Sequence, residues 1–238
     1  MAGHSKWAQI KRKKAANDQK RGKIFSKLLK EIEIATKLGG PNVDGNARLK
    51  NAILKAKSEG VPNDNIQKAI QRASGDKSKE NLEELYYEGM GPMNVAFIAR
   101  VVTDNRNRSA SEIRHLVSKA GGSLLGSNSV RHLFKERGVI KIQQTSISED
   151  EILSEVLDFS VDDLKIFDSE AEIVLELQDL VRCVEKLKEK FNVTSAEVKF
   201  VPVTTVSVSE EDAEKVLAFF DALDDHEDIQ EVFFNAEL

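Results

Sequence analysis

The spacing of apolar residues changes once along this chain, and that change limits the fold more than any other feature. From Phe25 to Ala73 apolar residues recur every three or four positions. They run Phe25, Leu28, Leu29, Ile32, Ala35 and Leu38, then Leu49, Ala52, Ile53 and Ala56, then Ile66, Ala69, Ile70 and Ala73. This is the pattern of amphipathic helices. Gly39-Gly40-Pro41 stops the first, and Gly60 sits where the C′ glycine of the second belongs, with Pro62 following. Asn63 or Asp64 caps a third helix that Gly75 ends. Three short helices make a small bundle, with Lys27, Lys30, Arg48, Lys50, Lys55, Lys57, Lys68 and Arg72 at outward positions.

After the polar stretch DKSKEN at 76–81 the period falls toward two. Leu85-Tyr86-Tyr87 and the run Val95 to Val102 read as strands, split by Gly89-Met90-Gly91-Pro92. Thr103 to Ser109 reads as a loop feeding a helix with Ile113, Leu116 and Val117 inward, ended by Gly121-Gly122. Residues 130–142 read as two strands around Gly138. Ser148 with Glu151 forms a capping-box pattern before Ile152. Strand-like runs at 166–167, 173–177 and 198–201 and a helix from Leu180 to Phe191 complete a β-α-β-β-α-β order over 138–201, the ferredoxin-like order. Ser209 with Asp212 opens a last helix, and Ile229 to Phe234 reads as a final strand. The fold class is therefore α+β and multidomain.

Charge is divided just as sharply. Residues 1–80 carry 19 basic and 8 acidic side chains, and residues 141–238 carry 8 and 26. The net charge of −5 for the whole chain conceals this separation. A basic segment set against an acidic one points to a polyanion as the partner of the basic segment. No apolar run reaches the ~18 residues of a membrane span, and no apolar region follows the basic N-terminus as a secretory signal requires. Cys183 stands alone, so no internal disulfide or multi-cysteine metal site can form. These features fit a reducing cytoplasm.

Catalytic signatures are missing. The sequence has no G-x-x-x-x-G-K-[ST] or G-x-G-x-x-G phosphate loop, no G-x-S-x-G elbow and no H-E-x-x-H pair. His4, His115, His132 and His226 are scattered. The acidic run Asp224, Asp225, His226, Glu227 and Asp228 has the oxygen ligands for a divalent cation, but a solvated acidic helix end is the favoured reading. Cys183 sits at an inward helix position as a small hydrophobe. No cofactor and no metal are expected, and no enzymatic activity.

The strongest functional signal is the basic arm at 1–23. Lys6, Lys11, Arg12, Lys13, Lys14, Lys20, Arg21 and Lys23 face one acid, Asp18. With no sustained apolar face, such a segment has little to order it when free. Its cations suit phosphate neutralisation with counterion release, independent of base sequence. Lys27 continues the series on the first helix. Trp7, the one tryptophan, suits either stacking on a base or docking on the bundle. The second signal is TDNRNR at 103–108, where Arg106 and Arg108 precede a helix and can reach an anion, an alternative being a capped turn held by Asp104 and Asn105.

At these residues the chain resembles a known family. AGHSKWAQIKRKKAANDQKRGKIFSKLLKEI at 2–32, YYEGMGP at 86–92, TDNRNRSASEIRH at 103–115 and ALDDHEDIQEVFFNAE at 222–237 are similar, in order, to the YebC/PmpR family. The resemblance implies a helical domain at 1–80, an α+β domain from 81–135 with 205–238, and a ferredoxin-like domain inserted at 136–204. It implies a non-enzymatic regulator of gene expression that binds DNA. The alternative is an RNA- or ribosome-binding translation factor, since a mitochondrial relative activates translation and bacterial relatives are tied to ribosomes stalled on proline-rich stretches. A basic protein is a further candidate partner for the acidic half. Two departures stand out. Met93 and Asn94 replace a glycine-rich turn, and Ser129-Val130-Arg131-His132-Leu133-Phe134 loses an aromatic while gaining Arg131 and His132.

Overall fold

The computed structural model describes residues 18–75, 82–144, 148–167 and 169–237, with the side chains of 18–21 excepted. The expectations for residues 1–17 lie outside that range. Two compact units emerge, one from residues 1–134 with 202–238 and one from 135–201.

The first unit begins with α1 (Asp18–Gly39), α2 (Ala47–Ser58) and α3 (Asn63–Ser74). Helix α1 starts earlier than the apolar period suggests, so residues 18–23 of the expected arm are helical. Leu28, Ile32, Ala35, Leu49, Ala52, Ile53, Ala56, Ile66, Ala69 and Ile70 form the buried seam. Asn46 joins two helix ends. Its Oδ1 accepts from Leu49 N at 3.0 Å, capping α2, while its Nδ2 donates to the carbonyls of Ala35 and Gly40 at 2.8 Å. Gly60 takes φ +81° at the end of α2, and Val61 N–H donates back to Ala56 O at 2.9 Å, as in a Schellman motif. At α3 the cap differs from expectation. Pro62 occupies it, without a side-chain bond, and Asn63 is already helical.

The chain then builds β1 (Glu83–Met90), β2 (Ala96–Thr103), α4 (Arg106–Lys119) and β3 (Ser123–Leu124). It returns after the second unit as β8 (Val206–Ser207), α7 (Glu210–Asp224), β9 (Ile229–Phe234) and β10 (Ala236–Glu237). The main sheet has the order β3-β1-β2-β9. One face carries Phe97, Ala99, Val101, Val232 and Phe234 against Ile113 and Val117 of α4 and Val216, Phe219, Phe220 and Leu223 of α7. Phe220 stacks on Phe234 at 4.2 Å between ring centroids, and Phe219 meets Phe97 edge-on at 5.5 Å. The other face carries Ile98, Arg100 and Val102. Both faces are covered along most of β2, so it reads as a nearly unbroken apolar run.

The β1–β2 turn is strained. Met93 has φ 58° and ψ 25°, and Asn94 has φ 57°. Pro92 O accepts from Val95 N at 3.2 Å. Two consecutive left-handed residues inside an i to i+3 bond define the type I′ hairpin turn, which favours Asn-Gly. Met93 in this conformation costs about 1–2 kcal/mol.

The second unit contains β4 (Phe134–Gln143), α5 (Glu149–Val156), β5 (Val161–Phe167), β6 (Glu170–Leu175), α6 (Leu180–Lys188) and β7 (Val193–Pro202). The sheet order β5-β6-β4-β7 is that of a ferredoxin-like fold. Residues 134–143 form one strand through Gly138, where the sequence suggests two. Gly138 is held in the ladder opposite Leu175, and a side chain there would press on Leu180. Ile140, Ile142, Ile152, Ile173, Leu175, Cys183 and Leu187 make the core. Burial first, then the charge of Asp179, pushes the Cys183 thiol up to about 11, which suits a packing role.

The turn yields a direct prediction. Met93→Asn combined with Asn94→Gly should stabilise the protein by about 1 kcal/mol. Urea unfolding would show a higher midpoint at unchanged slope, and a lower midpoint would refute the strain.

Candidate nucleic-acid interface

The lysines of α1 do not all face solvent. Lys23, Lys27 and Lys30 repeat at helical spacing on one face, and that face meets the acidic turn after α7. Lys23 Nζ donates to Asp225 O at 3.3 Å. Lys27 Nζ donates to Asp224 O and lies 3.6 Å from its carboxylate. Lys30 Nζ donates to Asp228 Oδ1 at 2.6 Å. The carbonyls of Asp224 and Asp225 are the negative end of the α7 dipole, so the lysines meet both formal and partial charge there.

Asp228 is the centre of this contact. Its side chain is fully buried. Besides Lys30, it accepts from Ser109 Oγ at 2.6 Å and from Arg108 Nη2 at 3.1 Å. Ser109 Oγ also lies 2.7 Å from Thr103 Oγ1. Burial by itself would raise the Asp228 pKa. Hydrogen bonds from Lys30 and Ser109, the charge of Lys30 and the bond from Arg108 outweigh it and hold the carboxyl below its ordinary range. Glu112 and His226 lie close enough to Asp228 to raise the question of a cation site. The donor set does not suit one, because both oxygens of Asp228 are already engaged. His226 Nδ1 accepts from Asp228 N at 3.1 Å and its Nε2 faces Glu112 at 3.3 Å.

A second ionic cluster joins α1 and α2 to the first two strands. Arg48 of α2 donates Nε to Glu31 at 2.8 Å and Nη2 to Glu84 at 2.7 Å. Arg100 Nη1 of β2 donates to Glu31 at 2.7 Å and Glu84 at 3.0 Å. Burial would raise the Glu84 pKa, but its bonds and charge contacts with Arg48 and then Arg100 lower it. Arg48, an outward cation by periodicity, is thus fixed between helix and sheet.

Of the remaining expected cations, Lys6, Lys11, Arg12, Lys13 and Lys14, with Trp7, lie outside the described residues. Lys20 and Arg21 fall on α1, where the backbone alone is described. Arg106 and Arg108 lie in the first turn of α4 and not in a loop. Asn105 caps that helix, its Oδ1 accepting from Arg108 N at 3.1 Å. The side chains diverge. Arg108 turns inward to Asp228 and to Asp104, 3.1 Å away. Arg106 stays exposed and lines a cavity of about 430 Å³ together with Tyr86, Tyr87, Leu124, Leu125 and Arg114. Arg114 lies within the motif at 103–115 but beyond TDNRNR, its basic part. It lies two turns beyond Arg106 on the same helix, and that spacing is the one signal that could have found it.

The wall of this cavity is fixed by Glu88. Buried in β1, its carboxylate accepts from the backbone N–H of Asn128, Val130 and Arg131 at 2.9, 2.9 and 3.1 Å. The substituted segment also adds a contact, since the Arg131 guanidinium lies 5.4 Å from the Tyr86 ring centroid.

Comparisons agree with this architecture. The model of the TACO1/YebC N-terminal domain matches residues 5–76, and that of the TACO1/YebC second and third domain matches residues 82–236. The chain belongs to the TACO1/YebC family. A relative from Desulforamulus reducens is 47% identical over 240 residues, covering 100% of this chain and 99% of its own. One from Carboxydothermus hydrogenoformans is 45% identical over 246 residues, with 100% and 99% covered. Each is named a "probable transcriptional regulatory protein". The crystal structure of a conserved hypothetical protein from Aquifex aeolicus has a TM-score of 0.83 and 38% identity, covering 92% of this chain and 91% of that one. No helix among the described residues is long and apolar enough to cross a membrane.

The Asp228 cluster predicts a pH dependence. The Asp228 and Glu84 carboxyls have folded-state pKa values below their unfolded ones, so their contribution is complete above the ordinary carboxylate range. It is lost as pH falls through the folded values, below about pH 4. Asp228→Asn should cost about 2 kcal/mol at neutral pH. Urea titrations at falling pH should show the gap to wild type narrowing, and a gap constant down to about pH 3 would contradict the assignment.

Proposed function

We propose that this protein is a non-enzymatic regulator of gene expression that binds nucleic acid through its basic N-terminal segment and helical bundle, with DNA as the target. The observation that carries the reading is the composition of α2. It holds Arg48, Lys50, Lys55 and Lys57 and no acid, and its three lysines are exposed. Lys68 on α3 is exposed as well. These cations follow the basic stretch at 1–23, which supplies Lys6, Lys11, Arg12, Lys13, Lys14, Lys20 and Arg21 in sequence. Lys23 and Lys27 meet the acidic turn from 224 to 228. There they offset negative charge that would otherwise repel phosphates. The relatives' names support a regulatory role. With no helix-turn-helix pattern of base-reading side chains, specificity rests on shape and deformability more than on base edges.

A second reading, binding to RNA on or near the ribosome, draws support from the cavity beside Arg106 and Arg114. Single-stranded RNA presents unstacked bases for which aromatic and guanidinium faces are suited. Crosslinking in cells followed by sequencing separates the two. Promoter DNA in the recovered material supports the first reading, and ribosomal RNA replaces it with the second.

Binding itself is tested by salt. Contacts to about six phosphates give a log–log slope of affinity against salt near −5 on B-DNA. Changing Lys11, Arg12, Lys13 and Lys14 to Ala should flatten that slope by roughly three to four units and weaken binding to every duplex alike. An unchanged slope would remove the basic segment from the interface.

A further inference from the structure

Charge pairing separates the arginines of this chain into two groups. Among those whose side chains are described, Arg48, Arg72, Arg100, Arg108, Arg137 and Arg182 each have an acidic partner within 4 Å, and Arg131 covers Tyr86. Arg106 and Arg114 have no hydrogen bond or ion pair among the described residues. Both are exposed, and both line the same cavity. Glu88, the acid in its wall, has its carboxylate engaged by three backbone N–H groups.

The other wall is an incomplete sheet margin. Strand β3 pairs with β1 only at Gly89 and Met90. Leu125 N–H adds one bond to Glu88 O at 2.8 Å, after which the chain turns away. From Glu83 to Tyr87 the outer margin of β1 has no strand beside it among the described residues. The cavity therefore combines this open strand margin, the ring of Tyr87 on the same sheet face as α4, the apolar Leu124 and Leu125, and two guanidinium groups. Tyr87 is half-buried, and its hydroxyl feels the charge of both arginines.

We infer that this cavity holds an unpaired nucleotide of a single-stranded nucleic acid, with its phosphate on Arg106 and Arg114 and its base against the tyrosine and leucine wall. The inference rests on the nucleic-acid reading above and adds a second, strand-selective subsite to it. Guanidinium groups match phosphate oxygens two by two. An aromatic wall accepts any base by its face. Duplex bases are paired inside their stack and do not present a free face to such a wall. An acidic peptide would use the arginines and leave the ring idle.

The test uses the full chain and fluorescence anisotropy at one fixed salt concentration. The probes are a labelled 12-nucleotide single strand of mixed sequence, the blunt duplex of the same sequence, and a labelled acidic decapeptide. Arg106→Ala with Arg114→Ala should weaken single-strand binding about 30-fold and duplex binding less than about threefold, on the scale of two lost charge-assisted contacts. Arg106→Lys with Arg114→Lys should keep the charge but restore only part of the affinity, because the two-pronged grip is gone. Both arginines are exposed, so thermal melts should match wild type. Equal losses on single strand and duplex, or none, would overturn the subsite while leaving the nucleic-acid reading intact. Loss of peptide binding alone would assign the cavity to an acidic protein instead. A wild-type protein that binds neither oligonucleotide would overturn the parent reading and this one together.

Discussion

The buried carboxylate of Asp228 is the constraint on which the first unit depends. A charge with no solvent access is tolerated when donors surround it. Here the donors come from α1, through Lys30, and from α4, through Ser109 and Arg108. The backbone joins in, since Val102 N–H of β2 donates to Asp228 O at 2.9 Å. Removing any one donor leaves the carboxylate undersolvated, so the position of α1 is coupled to that of α4. The Glu31, Arg48, Glu84 and Arg100 cluster repeats the device between α1, α2 and the sheet. Two ionic clusters fix the bundle where an apolar contact alone would permit sliding, because hydrogen-bonded charges accept few alternative registers.

Those clusters change what the charge distribution means. Along the sequence, a basic N-terminal third and an acidic C-terminal third suggest two separate partners. In the folded unit, part of each is the partner of the other. Lys23, Lys27 and Lys30 meet the turn at 224–228, and Arg108 meets Asp228. The acidic turn is consequently neither a cation site nor a bare repulsive surface. Among the described residues, Lys50 and Lys57 of α2, Lys68 of α3 and the cavity arginines present exposed positive charge to something outside the chain.

Local signals are readable where one segment determines its own structure. Gly60, Ser148 and Ser209 all mark helix ends of the kind that periodicity and capping rules locate, and the β-α-β-β-α-β order of the second unit follows from alternation and spacing. The sequence misleads where distant residues decide. Polar TDNRNR offers no apolar period, so the helix start at Arg106, set by the Asn105 cap, resembles a loop. Gly138 resembles a break, yet pairing with β6 carries the strand through it. The lysines of α1 read as outward because their acidic partners lie 197 to 202 positions away. Glu88 has the look of an ordinary strand acid, and nothing local marks the three amides that converge on it.

Met93 and Asn94 show the remaining kind of difference. At these two positions the chain has side chains where glycine is usual, and the backbone nonetheless adopts the left-handed pair that a type I′ turn demands. The turn geometry is therefore imposed by the pairing of β1 with β2 and by the Gly91 N–H bond to Val95 O at 2.8 Å, not by the residues that form it. The same logic governs the cavity. Its border depends on Glu88, which ties the 128–131 backbone to its side chain and not to the strand ladder. Had that segment instead paired along β1 from Tyr87 to Glu83, it would have covered the margin, and the two arginines would face a closed sheet edge. One buried carboxylate thus fixes α1 against the sheet, and another anchors the segment that borders the place where the two arginines and Tyr87 meet.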